Sequence, residues 1–295
     1  MRICILGSKK SKETRLLLAE AEKRGHSAQA VLIDDLIFAG GRERVIIYKN
    51  KDIAHLFDLF LVRGLNRHPD ETLLLCAYLA ERGRVVVDKR LAHKRYYRTK
   101  LATAFKFAKS SINYPATYFV SSSKKIGEVL KKVSFPLIVK EVWGMHSQGV
   151  WRFSYKKEAE DFLKDRKGEY LIQEDLHEDE YIRVFVVGRE VIGAIKRTKK
   201  RSLGSLAVKA GVSSKKIKVS QELNNLALKA MKISGNEICG LDFIKHQGKY
   251  YLIEANRSPQ FRAFSKITKI NVAAKIISYL EDKLKIINER PRAKN

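Results

Sequence analysis

Three oxygen-bearing side chains in the C-terminal part of the chain are spaced to act together. In "YYLIEANRSP", residues 250–259, an apolar run ends in Glu254 and Asn256. Residues two apart on a strand share a face, and a carboxylate buried there without a partner is costly, so a cation is expected beside them. Folding "LDFIKHQGKYYLIEAN" about Gln247 and Gly248 brings Asp242 roughly opposite Glu254 on the neighbouring strand. Asp242, Glu254 and Asn256 then form a set of hard oxygen donors with no His or Cys. Such a set suits Mg²⁺, which keeps several waters and shares its remaining ligands with substrate phosphates. The alternative is an ordinary surface hairpin with solvated carboxylates.

A second group lies in "PLIVKEVWGMHSQGVW". An apolar strand ends at Lys140, and Gly144, Ser147 and Gly149 punctuate the turn into the next strand. Backbone amides in such a loop can approach phosphate oxygens closely while Lys140 supplies a point charge. Plain turn glycines are the alternative, and Trp143 and His146 read as packing residues of the loop.

The elements that must position these residues follow a strand–helix rhythm. "RICILGS", "SKETRLLLAEAEKRGH", "AQAVLI", "LFDLFLVRG", "PDETLLLCAYLAERG" and "RVVVDK" alternate, which predicts an open, largely parallel α/β sheet over residues 1–90. A basic segment, 91–115, follows, helical in its second half. Residues 116–176 read as a small α/β unit. Residues 177–287 contain the hairpin "YIRVFVVGREVIGAIKRTK", turned at Val187–Gly188, then a helix, the hairpin that ends in Glu254, and a closing amphipathic helix. The tail 288–295 is expected to be disordered and basic.

Composition sets the outer bounds. The chain has 295 residues, 45% of them hydrophobic, enough for more than one core. "MRICILGSKK" reads as a first strand rather than a signal peptide, and no apolar stretch approaches the roughly 20 residues of a membrane helix. Cys4, Cys76 and Cys239 are far apart and lack metal-ligand spacing, which fits a reducing, cytoplasmic location and no disulfide. The formal charge of +27 implies either a polyanionic partner or lysine used evenly throughout, since the cations are spread along the chain.

"LIQEDLHEDEYIRVFVVGREVIGAIKR", "CGLDFIKHQGKYYLIEANRSPQF" and "TKINVAAKIISYL", in that order, resemble the ATP-grasp superfamily, most closely RimK-type amino-acid ligases and their glutathione-synthetase relatives. The resemblance implies an α/β (α+β) chain with a pre-ATP-grasp domain, a lid subdomain and a C-terminal antiparallel-sheet subdomain. It also implies ATP held between the last two and Mg²⁺, as two ions with Mn²⁺ as a substitute, on Asp242, Glu254 and Asn256. Lys100 and Lys140 match the two phosphate lysines. Gln173, Glu174, Asp175 and Leu176 match the hinge beside adenine, the last three through backbone groups. Arg183 matches the arginine near the acyl-phosphate, with Arg197 a second candidate.

The sequence departs from the family at three places. Ser147 stands where a central lid glycine is usual. Tyr181 stands where a ribose-contacting aspartate is common, leaving Glu178 or Asp179 as stand-ins. "RSLGSLAVKAG" replaces an Arg-Ser-Asn element, with Ser205 and Lys209 as substitutes, so the amino acid or acceptor is expected to differ. The implied reaction is ATP-dependent joining of a carboxylate to an amine, with a glutamate-like amino acid and a protein, peptide or small-molecule acceptor. An acidic or ribosome-associated acceptor would suit the charge, "KRLAHKRYYRTK" is the candidate nucleic-acid patch, no membrane is involved, and a homo-oligomer is open. The other reading is a nucleotide-binding protein that keeps the fold without ligation.

Overall fold

The computed structural model describes residues 1–41, 44–64, 68–93, 100–142, 149–164, 166, 168–198 and 213–289. The chain starts with β1 (Arg2–Leu6), α1 (Lys12–Lys23), β2 (Ser27–Val31), β3 (Ile37–Ala39), β4 (Val45–Tyr48), β5 (Lys51–Asp52), α2 (Ile53–Leu56), β6 (Leu59–Val62), α3 (Pro69–Glu81) and β7 (Val85–Val87). The parallel sheet has the order β2-β1-β6-β7. β6 and β7, and β1 beyond Arg2, are short apolar runs buried on both faces, as parallel strands covered by crossover helices are; β2, at the edge, is buried only at Ala30 and Val31. Ile3 and Ile5 face α1, whereas Cys4 and Leu6 face α3. Ser11 caps α1, its hydroxyl accepting from the Thr14 N–H at 3.4 Å. A separate antiparallel ribbon, β3-β4-β5, was not expected from the sequence, because its strands are too short to show a period.

After α4 (Lys100–Ala108) come β8 (Thr117–Val120), α5 (Ile126–Leu130), β9 (Leu137–Glu141), β10 (Val150–Phe153), α6 (Lys156–Lys164) and β11 (Tyr170–Glu174). These strands form an antiparallel sheet of order β10-β9-β11-β8 over its own core of Leu137, Val139, Phe153, Leu163 and Ile172.

The remainder is β12 (Glu180–Val187), β13 (Glu190–Thr198), β14 (Ser214–Ile217), α7 (Gln221–Ser234), β15 (Ile238–His246), β16 (Lys249–Asn256), α8 (Arg262–Thr268) and α9 (Val272–Glu289). The strands make one antiparallel sheet, β14-β13-β12-β15-β16. Val187 pairs with Glu190, so the first hairpin turns at Gly188–Arg189, one residue later than expected. Val187 is buried and keeps its place in the ladder, and Gly188 takes the left-handed conformation, φ +59°. Neither β14 nor α8 was read from the sequence.

Alternation along β12 explains how this sheet is shared between core and site. Val184 and Val186 pack under α7, while Phe185 and Val187 join Ile3, Ile5, Leu59 and Leu61 of the parallel sheet with Phe264, Ile276 and Leu280 of α8 and α9. Tyr181 and Arg183 lie on that second face by the two-residue step. One face is therefore apolar at one end, where it is fastened to the N-terminal sheet, and polar at the other.

Candidate active site

The polar end of that face is built on the β15–β16 hairpin. Gln247 and Gly248 turn with φ of +46° and +80°, and His246 pairs with Lys249. Counting back from that turn, Asp242 would oppose Ile253 and stand on the wrong face from Glu254. A bulge between Asp242 and Phe243 shifts the register, so Asp242 pairs with Glu254 and Gly240 with Asn256. Bulges re-aim side chains in this way beside functional sites.

Asp242 has a protein cation, Arg183. It is cross-strand from Asp242 and donates from Nε to Oδ1 at 2.7 Å and from Nη2 to Oδ2 at 2.6 Å. Asp242 is 3% exposed. Burial alone would lower the Arg183 pKa, but the Asp242 charge and hydrogen bonds raise it above the ordinary arginine value. Glu254 is exposed and Asn256 half-buried, and neither has a hydrogen-bond or ion-pair partner among the described residues. Arg197 is cross-strand from Tyr181, its guanidinium 5.6 Å from that ring's centroid. Its Nε is buried without a hydrogen-bond partner among the described residues.

No group of three or more His, Cys, Asp and Glu able to hold a metal occurs among the described residues. The hairpin offers two carboxylates and an amide, one carboxylate already accepting from Arg183. That set fits Mg²⁺, which takes one or two protein carboxylates and completes its shell with water and phosphate oxygens.

The two lysines lie on different elements, Lys140 on β9 and Lys100 on α4. Lys140 on β9 donates to Gln173 Oε1 at 2.6 Å, and Gln173 Nε2 donates to Thr117 Oγ1 at 2.7 Å. Since an ammonium can only donate, this chain fixes the Gln173 amide. Lys100, at the start of α4, donates to the Glu141 carbonyl at 2.9 Å. Burial lowers its pKa, while the charges of Glu254 and Glu141 raise it in part, which places Lys100 within electrostatic reach of the hairpin. Tyr114 was missed by sequence reasoning. Its phenol is raised by burial and by Glu254, and is hydrogen-bonded with Gln173, so it lies between the lid and the hairpin, stacked on Phe107 at 5.9 Å. A tyrosine beside the Pro-x-Thr was the available signal.

The hinge is narrower than expected. The Glu174 N–H donates to the Ala116 carbonyl at 2.9 Å and the Asp175 N–H to the Pro136 carbonyl at 3.1 Å. That leaves Leu176 as the amide of the three without a partner among the described residues. The Asp175 carboxylate is ion-paired with Arg152 and accepts from the His177 N–H at 3.0 Å. Glu178 pairs with His246 at 3.2 Å, and Asp179 is exposed. Gly149 opens β10 with φ +70°, its carbonyl accepting from the Glu141 N–H at 2.8 Å. Gly144, Ser147, Ser205, Lys209, the tyrosines of the basic segment and the end of the tail lie outside the described residues.

A family model described as RimK-like ATP-grasp domain matches residues 97–280. The chain is 28% identical over 285 residues to a "Probable alpha-L-glutamate ligase" of Legionella pneumophila, covering 94% of this chain and 93% of that protein. It is 27% identical over 302 residues to one of Methanococcoides burtonii, with both chains covered in full. Its fold is similar to that of a RimK domain ATP-grasp protein from Sphaerobacter thermophilus, with TM-score 0.70, 20% identity, and 95% of this chain and all of that one covered. It is also similar to the ATP-grasp ligase PsnB complexed with a minimal precursor, Mg and ADP, with TM-score 0.73, 18% identity and 97% of each chain covered. With most of its length, including the hairpin, both lysines and the hinge, inside the matched region, the chain belongs to the RimK-like ATP-grasp family.

Proposed function

We propose that the protein is an ATP-dependent carboxylate–amine ligase that joins a glutamate-like amino acid to a peptide, protein or small-molecule acceptor. The observation that supports this most is the bulged hairpin. It sets Glu254 and Asn256, whose side chains have no partner among the described residues, beside an Asp242 already neutralised by Arg183, with Lys100 within electrostatic reach.

In this reading the substrate carboxylate attacks the γ-phosphorus of ATP, ADP leaves, and an acyl-phosphate results. The amine then attacks the carbonyl carbon, phosphate departs with the C–O bonding pair, and the amine loses a proton. Such chemistry asks mainly for positioning and charge neutralisation. Lys100 and Lys140 hold the phosphates, with Gln173 and Thr117 orienting Lys140. The Leu176 amide faces the base. Arg183, locked by Asp242, presents its remaining N–H groups to the reacting carboxylate, and Arg197 with its unpartnered Nε supports it. Asp242, Glu254 and Asn256 would hold Mg²⁺, two ions in the full complement. When bound, Mg²⁺ offsets phosphate charge and aligns the phosphoryl group.

An acidic acceptor is favoured by the charge of +27, and contact with RNA or the ribosome would use the same charge. The test is ADP release by the purified chain with Mg-ATP and pooled amino acids, with and without an acidic peptide, beside Glu254→Gln. Substrate-dependent release lost in the variant supports the ligase. Nucleotide binding with no stimulated turnover by any mixture, including a cell-extract acceptor pool, would favour the fold-without-ligation reading, which rests on the departure at "RSLGSLAVKAG".

A further inference from the structure

The parallel sheet has a topological switch point that the ligase reading does not use. In the order β2-β1-β6-β7 the chain passes from β1 to one side and from β6 to the other, and crevices at such points, beyond the carboxyl ends of the strands, are where open α/β sheets take ligands. Here Gly7 directly follows β1 and Arg63 directly follows β6. A Cβ on Gly7 would lie 3.2 Å from the Arg63 Cβ, so glycine makes room for the arginine.

Arg63 is half-buried, and the charges of Glu13 and Asp88 act on it only from beyond ion-pair distance. Of the acids at this edge, Asp35 is paired with Lys9 at 3.1 Å, Asp34 with His68 at 2.6 Å and Asp88 with Arg257 at 3.3 Å, while Glu13 accepts from the Ser11 hydroxyl at 3.4 Å. Among the described residues no carboxylate lies within ion-pair distance of Arg63. Its contacts are a hydrogen bond from Nη2 to the Pro259 carbonyl at 2.9 Å and the Phe261 ring at 5.7 Å. Arg257, donating to the Val62 carbonyl at 2.7 Å, adds like charge. Burial first, and Arg257 second, lower the Arg63 guanidinium to about 10. Keeping a cation in such a place is unfavourable unless an anion arrives.

Arg63 adjoins the reacting end of the sheet. Pro259, which accepts from Arg63, packs against Gly240, where an added Cβ would be 2.9 Å from the proline ring and 3.9 Å from Arg183 Cδ. Arg63 and Arg183 thus stand on either side of one turn, which directly follows Asn256. We infer that Arg63 holds a second carboxylate of the substrate, so that the site selects a dicarboxylic amino acid or an acidic peptide terminus while the reacting carboxylate meets Arg183. This rests on the ligase reading and adds its specificity determinant.

The test is equilibrium binding to the full chain, with and without Mg²⁺ and a non-hydrolysable ATP analogue. The probes are L-glutamate against its two mono-amides, and glutamyl-glutamate against its C-terminal amide. The wild type should prefer acid over amide, and the pair showing the preference identifies amino acid or acceptor as the ligand. Arg63→Gln should weaken the acid form about tenfold to a hundredfold, the worth of a charge-assisted pair, and bring the acid-to-amide ratio toward one. Arg63→Lys should restore part of the ratio, and nucleotide affinity should not change. A wild type without preference, an Arg63→Gln variant that keeps the wild-type ratio, or equal loss of acid and amide forms would each overturn the inference. Failure of the ligase reading shows separately, as a wild type that binds no Mg-nucleotide, since the ratio is also read without nucleotide.

Discussion

The hairpin carboxylates differ in surroundings, and substitution should separate stability from function. Asp242 is 3% exposed and clasped by Arg183 through two hydrogen bonds of 2.7 and 2.6 Å. Asp242→Asn keeps the shape but removes the charge and one acceptor, leaving the guanidinium buried without compensation, a loss of about 3–5 kcal/mol. Glu254 is exposed and unpartnered among the described residues, so Glu254→Gln should stay within about 0.5 kcal/mol of wild type. With Mg-ADP the roles change. Ligand at a hundred times Kd stabilises by about 2.7 kcal/mol, and a variant whose Kd is a hundredfold weaker gains only about 0.4 kcal/mol at that concentration. Urea unfolding of the three chains, with and without Mg-ADP, reads both effects. Glu254→Gln should unfold like wild type without ligand and gain little from it, whereas Asp242→Asn should be weak in both states. An unliganded Glu254→Gln chain as unstable as Asp242→Asn, or one that gains as much as wild type from Mg-ADP, would refute the argument.

Two further outcomes test the supports of the site. Gly149→Ala forces an L-residue to φ +70° with its Cβ 2.5 Å from Glu141 Oε2, so the lid strands should lose about 1–2 kcal/mol, seen as faster amide exchange at Glu141; unchanged protection would contradict this. At the base of the parallel sheet, burial raises the Asp58 carboxyl, but hydrogen bonds and charge from Arg2 hold it below the ordinary value. Its stabilisation is therefore complete above the unfolded carboxylate range, near pH 4, and lost as pH falls through the lower folded value. Asp58→Asn should cost about 1–3 kcal/mol at neutral pH and converge with wild type in acid. Parallel stability curves for the two chains would show that the Asp58 charge is not involved.

Much of the site was legible because its signals are local. Turn chemistry at Gln247–Gly248 and the step of two between Glu254 and Asn256 announce a hairpin with oxygen donors at its end, and Lys140 stands near the end of an apolar strand. The alternating strands and helices of the first 90 residues likewise point to a parallel sheet, since a helix between two strands lets them run parallel. Segments too short to carry a period, β3 to β5 and β14, were not legible.

Other features were settled by contacts between residues far apart in the chain. Arg183 and Asp242 are 59 residues apart, and only the β12–β15 register makes one the counter-ion of the other. The bulge after Asp242 turns its side chain to Glu254's face, though plain counting from the turn would send it away. Tyr114 meets Gln173 and the charge of Glu254, both distant in sequence, and the Glu174 and Asp175 amides are taken by the Ala116 and Pro136 carbonyls. The sequence by itself determined which side chains are available and which face of a strand each can occupy, because backbone periodicity is local. Tertiary structure decided which charges meet and which are left without a partner, because register, bulges and sheet-on-sheet packing depend on the whole chain.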